Sequence, residues 1–291
     1  MKKRFILICG LIILIAGCSS PKPQYKHPET NALVRLVEDA AQLVKSQGAA
    51  AFPAFRQPGS KWLNEQTYIF VLDEQGVRIV YPTAPDQEGK SLVNLYDLFY
   101  GKPIGKMILA TALAGKAGWV HYPWPKPGED TPSWKSSYVV LVTDPAGKKY
   151  IVGSGLYEMK MERQFVVTAV DEAARLIDQK GKRAFATLRD PASQFYFKDT
   201  YVFVLSLNDG VELLNPAYRQ LEGKNVLDLK DKHGTYLVRE MIKVAKDKGA
   251  GWVDYMWPKP GFKGIFKKST YIRKAKMDGR DVLVGCGVYL D

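Results

Sequence analysis

Two clusters of cationic and aromatic side chains in this sequence share one spacing. The first is Tyr122, Trp124 and Lys126, followed by Lys135 and Tyr138; the second is Tyr255, Trp257 and Lys259, followed by Lys268, Tyr271 and Arg273. An ammonium or guanidinium beside phenolic hydroxyls can hold an anion, a carboxylate above all, through charge-assisted hydrogen bonds. Arginine adds a planar fork that grips both carboxylate oxygens. The equipment of a catalyst is missing. The three histidines are His27, His121 and His233; no HExxH, CxxC, GxSxG or GxxxxGK segment occurs, and the acidic residues show no metal-loop spacing. These residues predict binding of a small anionic molecule, with no catalysis, no metal and no cofactor.

The clusters sit in one phrase written twice. Residues 119–128 read WVHYPWPKPG and residues 252–261 read WVDYMWPKPG, identical at eight of ten positions and offset by 133. The repeat is longer than the phrase. VEDAAQLVKSQGAAAF (37–52) matches VDEAARLIDQKGKRAF (170–185), TYIFVL (67–72) matches TYVFVL (200–205), KSSY (135–138) matches KSTY (268–271), and VGSGLY (152–157) matches VGCGVY (284–289). An offset that drifts by one residue either way means two copies of one fold with single-residue indels in loops. Each copy opens on a helix whose apolar stripe is Leu33, Val37, Ala40, Ala41 and Val44, then Val166, Val170, Ala173, Ala174 and Ile177, with Gly48 and Gly181 as stops. A hairpin follows, then a helix through Ile104, Ile108, Thr111 and Ala112 or Leu237, Met241, Val244 and Ala245. Three strands end each unit, near 118–124, 137–143 and 150–157, and near 251–257, 269–276 and 281–289. The order predicts an α+β domain, a roughly five-stranded antiparallel sheet with helices packed on it.

Strand alternation puts Val120, Tyr122 and Trp124 on one side and Trp119 and His121 on the other. Tyr138 shares a face with Val140, and Tyr271 with Arg273. Pro125 and Pro127 fix the backbone around Lys126. Each of these residues has a plainer alternative: the tryptophans as core, Lys126, Lys259, Lys135 and Lys268 as solvated charges, Arg273 as an exposed strand residue.

The segments GWVHYPWPKPG…KSSYVV…VGSGLY and GWVDYMWPKPG…KSTYIR…VGCGVY resemble the Cache family of PAS-like extracellular sensor domains, and the single Cache domain of the second class in tandem. The resemblance covers nearly all of the mature chain. It implies a small-molecule pocket between sheet, loops and central helix, taking a small organic acid or amino acid. GKNVLDLKDKHG keeps the second copy nearer the family pattern, and Arg273 has no counterpart in the first, where Val140 stands; both favour the second copy as the binder. Domain limits are expected at 30–160 and 161–291.

The first twenty residues have a basic start, a twelve-residue apolar run and IAGC, which looks like a bacterial lipobox. This predicts a signal peptide over 1–17, lipid on Cys18 and a tether over 18–29, in the cell envelope (the periplasmic face of the outer membrane in a Gram-negative host). Loss of Lys2, Lys3 and Arg4 lowers the formal net charge from +12 to +9, which suits anionic lipid or an anionic ligand; nucleic acid is not expected in that compartment. Cys286 is then the one remaining thiol and reads as a core residue. With no output domain in the sequence, a ligand-binding lipoprotein would report to a separate membrane sensor or transport partner. The alternative is a structural envelope lipoprotein that keeps the fold without a ligand.

Overall fold

The computed structural model describes residues 25–115 and 117–290. The signal segment, Cys18 and most of the tether lie outside the described residues. The first helix, α1 (Pro28–Gln47), buries Leu33, Val37, Ala40, Ala41 and Val44. Its counterpart in the second copy buries the matching stripe from Val166 to Ile177. Both end at a glycine of positive φ, 59° at Gly48 and 57° at Gly181, where a side chain would be strained. A short helix follows each, α2 (Phe52–Phe55) in the first copy.

The first copy continues through β1 (Phe70–Asp73), β2 (Arg78–Val80), α3 (Ile104–Gly115), β3 (Ala117–Pro125), β4 (Pro132–Thr143) and β5 (Lys149–Tyr157). The second runs α4 (Arg163–Lys180), α5 (Ala184–Arg189), β6 (Val202–Ser206), β7 (Glu212–Leu214), α6 (Leu237–Lys248), β8 (Ala250–Pro258), β9 (Ile265–Met277) and β10 (Arg280–Tyr289). The sheets have the orders β2-β1-β5-β4-β3 and β7-β6-β10-β9-β8, antiparallel throughout. This is the α+β architecture the sequence predicts, built twice.

Each sheet buries both faces. On one side of the first, α1 packs Val37, Ala40 and Val44 against Val71, Val142 and Val152. On the other, α3 packs Ile104, Ile108 and Ala112 against Phe70, Val120, Val139 and Ile151. Each such aliphatic side chain contributes roughly 1.5–3 kcal/mol relative to exposure, so both faces are strongly specified. One boundary differs from expectation. β4 and β9 start at Pro132 and Ile265 because they pair with β3 and β8 along their whole length, out to Pro125↔Pro132 and Pro258↔Ile265. Lys135 and Lys268 are therefore strand residues, directly opposite Tyr122 and Tyr255, and not part of the preceding loop.

The copies meet at an aromatic junction of Tyr25, Phe165 and Phe197, with Trp119 and Trp134 against it. The Glu162 carboxylate accepts the N–H groups of Lys26 and His27, each at 2.9 Å. His121 is stacked on Phe197 at 4.0 Å and lies 4.6 Å from Phe165. Burial, with Lys102 and Lys198 nearby, pushes its pKa down to about 3, so it is a neutral ring of the junction.

Candidate functional site

The face of the first sheet under α3 encloses a cavity lined by Tyr68, Phe70, Leu72, Arg78, Tyr81, Leu92, Leu95, Ile104, Ile108, Tyr122 and Trp124. Its open volume of about 30 Å³ has room for roughly two waters. The position of each wall follows from the strands. β3 turns Tyr122 and Trp124 inward, β1 supplies Phe70 and Leu72, and β2 brings Arg78. The loop before α3 closes the cavity with Leu92 and Leu95.

The walls are apolar and aromatic, and the polar groups are cationic or phenolic. Arg78 is only 8% exposed. Its guanidinium lies over the Tyr81 ring at 5.4 Å and makes one long bond to the Lys90 carbonyl at 3.4 Å. One layer behind, Lys135 is 1% exposed. It donates to Tyr68 Oη at 2.8 Å and Tyr157 Oη at 3.5 Å, with its ammonium over both rings. Burial lowers the Lys135 pKa, and Tyr122 and Tyr81 partly offset this. Burial pushes Tyr122 up to about 12 and raises Tyr68 and Tyr81 as well, so the phenols stay protonated and able to donate. Tyr122 Oη is fixed by Ser137 Oγ at 2.8 Å. Among the described residues no carboxylate pairs with Arg78 or Lys135. Buried charges are normally paired, so this site has two cations and no counter-ion of its own.

The second copy repeats the frame and changes the charges. Lys268, also 1% exposed, donates to Tyr201 Oη at 3.0 Å and lies over the Tyr201 and Tyr289 rings. Tyr255 Oη is bound to Thr270 Oγ1 at 2.9 Å. Where the first copy has Arg78 and Tyr81, the second has Glu212 and Asn215, and Asn215 Nδ2 donates to Glu212 Oε1 at 2.9 Å. Burial, reinforced by Glu222, pushes Glu212 up to about 7. Burial lowers Lys268 to about 8, offset in part by Cys286, Asp199 and Glu212. Tyr218, at the position of Ala84, packs edge-on against Tyr201 at 5.9 Å and Trp257 at 5.6 Å. Its hydroxyl is tied to the Pro258 carbonyl at 2.7 Å. This copy supplies both a carboxylate and an aromatic side chain to its own interior.

The residues singled out in the sequence divide by face. Tyr122, Trp124 and Lys135 gather at or just behind the first cavity, and Tyr255, Trp257 and Lys268 occupy the matching core of the second copy. Tyr138 and Tyr271 do not join them. An odd separation from Lys135 and Lys268 turns them to the faces under α1 and α4, where they pack on Trp119 at 5.2 Å and Trp252 at 5.3 Å. Arg273 shares the face under α4, opposite the one that holds Lys268, and its guanidinium pairs with Asp171 of α4 at 2.7 Å. Lys126 is a loop residue 3.8 Å from Glu129; Lys259 pairs with Asp199 at 2.7 Å. Arg78, Tyr68, Tyr81 and Tyr157 are the residues the sequence reading passed over. The signal for them was in the repeat: TYIFVL, GVRIVYP and GSGLY set Tyr68, then Arg78 and Tyr81, then Tyr157 against an apolar background. Cys286 is buried and its thiol is pushed up to about 11 by burial, as fits a core residue. No cluster of metal-ligating side chains and no helix long and apolar enough to cross a membrane occurs among the described residues.

A five-stranded antiparallel sheet with helices on both faces, written twice, with a cationic, aromatic cavity under α3 in the first copy, defines a pair of PAS-like sensor domains. The chain belongs to the Cache domain family: the family profile dCache_2 matches residues 56–186 and again 178–291. Two curated relatives are a methyl-accepting chemotaxis protein, McpP of Pseudomonas putida, and a sensor histidine kinase, MctS of Rhizobium johnstonii. The first is 32% identical over 148 residues, covering 47% of this chain and 26% of the relative; the second is 35% identical over 114 residues, covering 39% and 23%. The chain thus spans about a quarter of each relative's length. A solved Cache chemosensory domain described for carboxylic acid recognition is 27% identical, with a TM-score of 0.38 over 44% of this chain and 92% of its own.

Proposed function

We propose that this chain is an exported, lipid-anchored binding protein whose first Cache domain holds a short-chain carboxylate and presents its occupancy to a separate signalling or transport partner. The observation that supports this most directly is the pair of buried cations, Arg78 and Lys135, beside one cavity without a carboxylate. In this reading the ligand carboxylate is the missing counter-ion. It accepts from the Arg78 fork and from the Tyr68 hydroxyl, which Lys135 polarises from behind. The aromatic and aliphatic walls take the short carbon chain, and the small volume keeps it short. The chain acts by binding and not by catalysis, with the lipid on Cys18 as its membrane attachment and no part for nucleic acid.

Thermal-shift titration with acetate, propionate, pyruvate and neutral amides of the same size tests the ligand class. A ligand at a hundredfold its dissociation constant adds about 2.7 kcal/mol to stability. The acids should raise the unfolding temperature and the amides should not. Equal response to both, or to neither, would sink the carboxylate assignment.

A further inference from the structure

Between Leu95 and Ile104, both on the cavity wall, the first copy sends out a loop that displays apolar side chains to water. Leu98 is 95% exposed and Phe99 63%, with Tyr96 beside them at 45%. The loop has a built base. The Asp97 carboxylate accepts the Phe99 and Tyr100 N–H groups at 2.8 Å each and the Lys102 N–H at 2.6 Å. The Lys102 side chain, fully buried, donates to the carbonyls of Ser193 at 2.5 Å and Tyr196 at 2.7 Å in the second copy. Tyr100 stacks on Trp134 at 5.5 Å. Large apolar side chains held out on a fixed base mark an interaction site.

The course of the chain toward Cys18 indicates what that site meets. Ring contacts lead from Tyr25 to Phe165, Phe197, Trp134 and Tyr100 in steps of 6.4, 6.4, 5.3 and 5.5 Å. Tyr25 and the base of the loop thus belong to one aromatic junction. Tyr25 lies seven positions after Cys18, a reach of at most about 25 Å. A lipid on Cys18 keeps this junction within that distance of the bilayer, whereas Lys45 lies about 25 Å further along α1. Lys26, Lys160 and Lys106 are exposed beside the junction and the loop, where they suit anionic headgroups.

We propose that Leu98 and Phe99 form a finger that inserts into the bilayer carrying the Cys18 lipid and seats the junction end of the molecule on the membrane. This rests on the lipid-anchor part of the function proposed above and not on its ligand. An environment-sensitive fluorophore on Leu98→Cys, and separately on Lys45→Cys, reads it out in the full-length protein purified from bacterial membranes; Cys286 is buried and does not compete for label. On vesicles of phosphatidylethanolamine and phosphatidylglycerol, the Leu98 label should brighten and shift to the blue, and the Lys45 label should keep its emission in buffer. Two unshifted labels on protein that floats with the vesicles overturn the finger, as do two labels that shift alike. Protein that fails to float refutes the anchor instead. The labelled chain is then held on nickel-chelating vesicles through a histidine tag placed before Ser19, and the same two labels decide the finger. Crosslinking of the Leu98 position to a protein, with its emission unshifted, assigns the surface to a protein partner and also overturns the proposal.

Discussion

The interiors of the two copies differ most at one strand position. Arg78 and Glu212 stand at the same place in the same hairpin, both buried, one cation and one carboxylate. Around them Tyr68, Tyr122, Tyr157, Trp124 and Lys135 of the first copy recur as Tyr201, Tyr255, Tyr289, Trp257 and Lys268. The second copy has Glu212, Asn215 and Tyr218 inside it and so carries its own acidic group and its own filling. The first has Arg78, Tyr81 and Ala84 and leaves both charge and space open. A duplicated sheet supplies the frame, and the residues at three positions decide whether the frame is self-satisfied or, on the reading proposed above, waits for an acid from solution.

The most disruptive exchange between the copies is Gly105→Val, which writes the second copy's Val238 into the first. A β-carbon at Gly105 would lie 1.9 Å from the Leu92 carbonyl oxygen, and backbone cannot yield as a flexible side chain does. α3 must then lift off the cavity loop. Overpacking of this kind costs roughly 3 kcal/mol. A chemical denaturation curve should show the first domain unfolding early and the second unchanged; a midpoint equal to the parent protein's would mean that the close approach is absent.

Arg78→Glu is the sharper exchange, because it imports the charge and keeps the strand. It removes a charge-assisted contact and puts a carboxylate in the cavity, so acid binding should weaken by about a hundredfold or more. Lys135→Met separates the roles further. It takes away a desolvated cation, so the ligand-free protein should keep or gain stability while the acid-induced thermal shift disappears. Calorimetry showing undiminished acid binding in either variant would move the site elsewhere.

In the second copy the contrast is one of pH. Burial holds Glu212 at about 7, above the ordinary glutamate value. The folded state therefore binds the proton more tightly than the unfolded chain. This contribution is complete below about 4.5 and is lost as pH rises through about 7. Glu212→Gln should flatten that decline, and between pH 5 and 8 it should gain on the parent protein by at most about 3 kcal/mol. Parallel stability curves over that range would show that Glu212 is not held neutral.

How far the sequence alone carries can be judged at these residues. The helix stripes, the glycine stops and the double sheet were legible, because an apolar periodicity repeated at a near-constant offset reports the same packing twice. The alternation that put Tyr122 and Trp124 on one face of β3 was legible too. Applied to β4, it separates Lys135 from Tyr138, three residues on, but the strand expected near 137–143 leaves Lys135 outside it, whereas β4 begins at Pro132. Arg78 was not legible as a site residue. A charged residue in a three-residue strand looks solvent-facing until α3 and the cavity loop are seen to cover it, and that covering is a tertiary contact without a local signature. The charge inversion at Glu212 needed the structure for the same reason.

The smallest effect tests the boundary between the two faces of the second sheet. Arg273 has a planar cation on the same strand as Lys268, which makes it the natural carboxylate anchor in the sequence. Arg273 lies five positions after Lys268, an odd offset, so their side chains leave opposite faces. On its face Arg273 reaches Asp171 of α4, with its side chain 45% exposed. An ion pair so open to water contributes at most about 1 kcal/mol. Arg273→Ala should therefore lower stability by that much or less, the loss should shrink at high salt, and the response to acids should stay as in the parent protein. If Arg273→Ala instead abolished the acid response while Arg78→Glu left it intact, the binding copy would be the second, and the charge difference between the two interiors would have been read in the wrong direction.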